Sequence, residues 1–147
     1  MNMSIRTLAA HAAAVLAVSA FGLPAAAHEV SLSAHMMGMG EKPGPGDADG
    51  MGHATLKVNT DKSEVCWTLM VENIAPATMA HIHKGAADVA GGVALALTPP
   101  DASGKAAGCA TADAAVVADI VANPAGYYVN VHNAEFRGGA IRGQLSK

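Results

Sequence analysis

Hydrophobic and polar positions along this chain follow two periods, and each predicts a different element. In "HATLKVN" (53–59), Ala54, Leu56 and Val58 alternate with Thr55, Lys57 and Asn59. A period of two marks a half-buried strand. "EVCWTLMVEN" (64–73) repeats the pattern, with Val65, Trp67, Leu69 and Val71 on one face and Cys66, Thr68 and Met70 on the other. "MAHIHK" (79–84) sets Ala80 and Ile82 against Met79, His81 and His83. "GGVALALT", "YYVNVHN" and "AIRGQLS" read as further strands. The period changes once. In "DAAVVADIVANP" (113–124), Val116, Val117, Ile120 and Val121 fall at helical spacing, with Asp113 as N-cap and Pro124 as stop. The pattern predicts an all-β fold, a Greek-key-like β-sandwich of about seven short strands with one short helix.

The first residues follow neither period. Arg6, the apolar stretch Leu8 to Leu23 and the small residues Ala25–Ala27 have the layout of a secretory signal peptide. Residues 1–27 are therefore expected to be a leader cleaved near Ala27, leaving 28–147 as one domain with no membrane span; an uncleaved anchor is the alternative. The expected location is the periplasm or the extracellular space. Gly and Pro in "EKPGPGDADGMG" (41–52) mark a loop. Within it Asp47 and Asp49 open like a calcium loop, but the terminal Glu is missing.

Composition narrows the function classes. The chain carries a formal charge of −3, and a mildly acidic exported domain does not suit nucleic acid, which needs basic patches. Aromatic residues make up only 3 %, so Ala, Val and Leu must build most of the core. The two cysteines, Cys66 and Cys109, both lie in the exported part. An even count in an oxidising compartment argues for one disulfide, with about 4 kcal/mol of chain-entropy stabilisation. Free thiols or a soft metal pair are the alternatives. No Ser or Cys sits in a nucleophile motif. The domain is expected to be a binding or structural module, not an enzyme.

Two stretches of the second half, "AHIHKGAADVAGGVALAL" and "GYYVNVHNAEFRGGAIRGQL", taken together resemble the CHRD domain, a module found in chordin and in bacterial exported proteins. The opening "GMGEKPGPGDADGMGHATLKVN" is similar to the start of that domain. The resemblance implies a β-sandwich and no defined molecular activity. Phe136-Arg137 and Ala140 depart from the pattern, at the tip of the last hairpin.

Two groups of residues offer chemistry. His81 and His83 share one strand face, and His132 alternates away from Val129 and Val131; if their strands meet, three imidazoles converge. Imidazole suits copper and zinc. Cu/Zn superoxide dismutase also combines a His-x-His strand with distant histidines on a β-sandwich, but its zinc-loop histidine cluster has no counterpart here. The bland reading is that these histidines hydrogen-bond backbone carbonyls and lock turns. The second group is His28, His35, Met36, Met37, Met39, Met51 and His53 near the front. Thioethers favour Cu(I), and a mature N-terminal His28 would chelate Cu(II) through its amine and ring. Methionine used as core filler is the alternative. The expected partners are thus a copper ion or an extracytoplasmic protein.

Overall fold

Every alternating segment in the second half becomes a strand, and two segments with weak alternation do as well. The computed structural model describes residues 28–147; the expected leader, 1–27, lies outside the described residues. In chain order the strands are β1 (Glu29–Met37), β2 (Met51–Asn59), β3 (Glu64–Glu72), β4 (Ala77–Lys84), β5 (Gly92–Leu97), β6 (Lys105–Thr111), β7 (Tyr127–Asn133) and β8 (Ile141–Gln144). One helix, α1 (Ala114–Ala122), joins β6 to β7. The expected count is about seven; the described residues form eight. Neither β1 nor β6 was recognised from its sequence. In β1 the chemistry of His and Met masked the alternation of Leu32, Ala34 and Met36. In β6, "KAAGCAT", Ala and Gly carry little strand propensity.

All eight strands join in one antiparallel sheet, ordered β5-β4-β7-β8-β1-β2-β3-β6. The fold is all-β as expected, and the sheet nearly closes into a sandwich- or barrel-like architecture. The β7–β8 pair returns from the end of the chain to sit between β4 and β1, which makes the order Greek-key-like. Inward side chains from β1 to β3, β7 and β8, among them Leu32, Leu56, Trp67, Val131 and Ile141, share one core. The helix adds Val117 and Ile120 to it. As expected, Asp113 caps α1, its carboxylate accepting from the Ala115 and Val116 amides.

Strand β6 contributes no fully buried side chain. It is held to β3 by the ladder and by the Cys66–Cys109 disulfide, which joins residues directly opposite in register. The disulfide is therefore formed, and it closes a separation of 43 residues. Among the described residues no helix is long and apolar enough to cross a membrane.

Strand β7 differs from the rest, because all seven of its residues are buried. Val129 and Val131 face the core. Tyr128, Asn130 and His132 lie on the other face, where β4, β8 and two loops enclose them. The 38–50 loop closes against β8 through Asp47 N–H to Ala140 O, and Glu41 accepts from the Asn130 side chain. The 85–91 loop is held by Arg142, which donates to Val89 O and Ala86 O, and by Gln144, which donates to Gly85 O. A polar face is thus buried and cross-braced. Arg142 braces it.

Candidate metal centre

Strands β4 and β7 run antiparallel with Met79 opposite His132, His81 opposite Asn130 and His83 opposite Tyr128. Alternation turns His81, His83 and His132 to one side of the sheet, as the sequence predicts. Each of the three offers a ring nitrogen, and these nitrogens all lie within 4.8 Å of one another. His81 Nδ1 is 3.2 Å from His132 Nε2. The rings of His81 sit edge-on to those of His83 and His132, with centroids 5.4 and 5.1 Å away.

The histidines are held from behind by backbone carbonyls. His83 Nδ1 is 3.0 Å from Gly91 O, and His132 Nδ1 is 2.9 Å from Arg137 O. A carbonyl only accepts, so in both rings Nδ1 carries the proton and Nε2 keeps its lone pair. For His132 that lone pair faces His81. For His83 it is buried with no hydrogen-bond partner. A histidine anchored at one nitrogen by a carbonyl, with the other nitrogen free, is the usual metal-ligating form.

The surroundings favour the neutral form of the rings. Burial lowers the pKa of all three, and for His81 the neighbouring imidazoles lower it further. The charge of Arg142 also lowers that of His83, although the Gly91 carbonyl opposes the effect. Neutral imidazole is the form that binds a metal ion. His83 stacks on Tyr128 at 4.9 Å with the rings nearly parallel, and the Arg142 guanidinium lies 3.4 Å from the centre of the same Tyr128 ring.

The close approach of two chain segments explains one glycine. A Cβ on Gly91 would fall on the Lys84 carbonyl oxygen. Only glycine lets the 85–91 loop fold back so that Gly91 O reaches His83 while Gly91 N–H donates to Tyr128 OH. At the other turn, Gly139 has φ +143° and sits against the Glu41 carboxylate. That turn presents Arg137 O to His132.

The front-end residues do not all come together. His35, Met37, Met51 and His53 lie on the exposed face of β1 and β2, with His35 opposite His53 and Met37 opposite Met51. Met36 leaves the ligand set: alternation turns it inward, and it is fully buried in the core. His28 lies beyond the far end of β1, seven residues from His35 or about 24 Å at the usual strand rise. Met39 is exposed on a short 3-10 turn after β1, apart from the paired positions. The sequence reading missed the carbonyls of Gly91 and Arg137, which carry no side-chain signal. It also left Met70 out of the candidates, although alternation had placed it on the outer face of β3.

A protein-family model described as the CHRD domain matches residues 32–145. The curated proteins give no match to the chain. The solved structures give none either.

Proposed function

The chain belongs to the CHRD-domain family, and from that premise we propose that it is a non-enzymatic module that binds copper through His81, His83 and His132. One observation carries the reading: the buried, unpartnered Nε2 of His83 beside two further imidazoles. A buried acceptor without a partner costs about 1–3 kcal/mol. A metal ion shared with His81 and His132 removes that cost. Three neutral imidazoles suit several divalent ions, and the Irving–Williams order places Cu(II) above the others. The protein works outside the cytoplasm after loss of residues 1–27, where the disulfide persists.

Copper titration with a competing chelator tests this reading. The expected result is one equivalent of Cu(II) bound per imidazole cluster, weakened by about a hundredfold or more in His81→Ala and in His83→Ala while both variants keep a cooperative melt. Wild-type affinity no tighter than micromolar would defeat it. The second reading, a protein-interaction scaffold with structural histidines, draws on the carbonyl anchors of His83 and His132. It is favoured if the same substitutions lower the melting temperature of the metal-free protein and change nothing else.

A further inference from the structure

Six methionines lie between residues 28 and 147, and only Met36 is buried. The exposed large hydrophobic side chains among the described residues are five methionines and two valines. Leu and Ile are absent from that set. A fold that tolerated exposed apolar residues at random would show them too. Methionine, unlike Leu, Ile and Val, carries a soft donor atom.

Three of the five share one place. The register sets His35 opposite His53 and Met37 opposite Met51 across β1–β2. Across β2–β3 it sets His53 opposite Met70 and Met51 opposite Glu72. Directly opposed residues have Cβ atoms about 4.5–5.5 Å apart. Met37, Met51 and Met70 are 39, 43 and 52 % exposed, so these side chains are open to solvent. His35, Met51, His53, Met70 and Glu72 line a shallow hollow of about 200 Å³. Beneath it Met36, Ala54 and Leu69 are fully buried, which fixes the strands that carry the donors.

We propose that this outer face of β1–β3 is a second metal site, binding Cu(I) through Met51, Met70, His53 and His35, with Met37 at its rim. Thioethers prefer a soft monovalent ion, and imidazole accommodates it. The Glu72 carboxylate, opposite Met51, offsets the charge of the ion. Strand β8 separates β1 from the β7 histidine in the sheet, so the site stands or falls independently of the imidazole cluster.

Ag(I) is the probe, because it mimics Cu(I) without a reductant that would open the disulfide. The protein carries ¹³C-methyl methionine and is titrated both as wild type and with His81→Ala and His83→Ala combined. The expected result is one Ag(I) equivalent bound in both, with shifts at the Met51 and Met70 methyls. The Met51→Leu and Met70→Leu pair then weakens binding by about tenfold or more; leucine keeps the volume at these exposed positions, so the fold is not at risk. Unchanged affinity in that pair overturns the proposal. So do shifts confined to Met39 or Met79. Should the histidine variant fail to fold, the wild-type comparison with Met51→Leu and Met70→Leu decides alone.

Discussion

Two sets of histidines lie on the polar faces of the same sheet, and they differ in everything but residue type. His81, His83 and His132 are crowded, and two of them are anchored to backbone carbonyls from loops that fold over β4 and β7. His35 and His53 face each other across β1 and β2, exposed, with methionines beside them. The difference comes from what covers each face. Loops 38–50 and 85–91 enclose the outer face of β7. Nothing among the described residues covers the corresponding face of β1–β3 to that degree. A covered face can orient a ring and free one nitrogen, which suits a borderline divalent ion. An open face leaves donors flexible, and thioethers take a soft monovalent one.

The strongest way to break the comparison is His83→Ala. Cu(II) affinity should fall by about a hundredfold or more, read by chelator competition, whereas His53→Ala should leave Cu(II) affinity nearly unchanged. Equal losses from the two would erase the distinction. A smaller effect is expected from Gly91→Ala, which touches no metal ligand atom. Its new Cβ collides with the Lys84 carbonyl, so the loop must shift and the anchor of His83 with it. We expect a loss of about 1–3 kcal/mol in stability and about tenfold in Cu(II) affinity. Denaturant melts and the same competition assay check both.

A third test uses pH on the covered face. Glu41 is buried beside Asn130, and burial raises its pKa from 4.5 to about 7 against the opposing influence of Arg142. The folded state therefore holds a proton that the unfolded chain releases near pH 4.5. Glu41's contribution to stability is complete below about pH 4.5 and is lost as pH rises toward about 7. The steepest slope is about 1.4 kcal/mol per pH unit. Glu41→Gln should remove that slope in denaturant melts of the metal-free protein, and an unchanged slope would show that Glu41 is not its source. The smallest effect is expected at His35→Gln, within about 0.5 kcal/mol of the wild type, since its side chain is exposed.

The sequence made half of this contrast legible. Period-two alternation placed His81, His83 and His132 off the apolar face, and the structure brings them together. It also turned Met70 outward. The same alternation implies that Met36 faces the core, against its place in a stretch rich in His and Met. The meeting of β4 with β7 was not readable, because register depends on which strands pair, and β7–β8 insert between strands far earlier in the chain. The carbonyl anchors were beyond reach for a related reason. Gly91 and Arg137 act through backbone atoms, and any residue has those. Strand β6 stayed hidden because it buries little and relies on Cys109 for its attachment.

In the proposed centre three imidazoles hold one copper ion. Pulsed EPR of the protein loaded with one equivalent of Cu(II) counts imidazole ligands directly through their remote nitrogens. Three coupled imidazoles are expected in the wild type and two in His83→Ala. A wild-type signal from one imidazole, unaltered by His83→Ala, would contradict it and return His81, His83 and His132 to the scaffold.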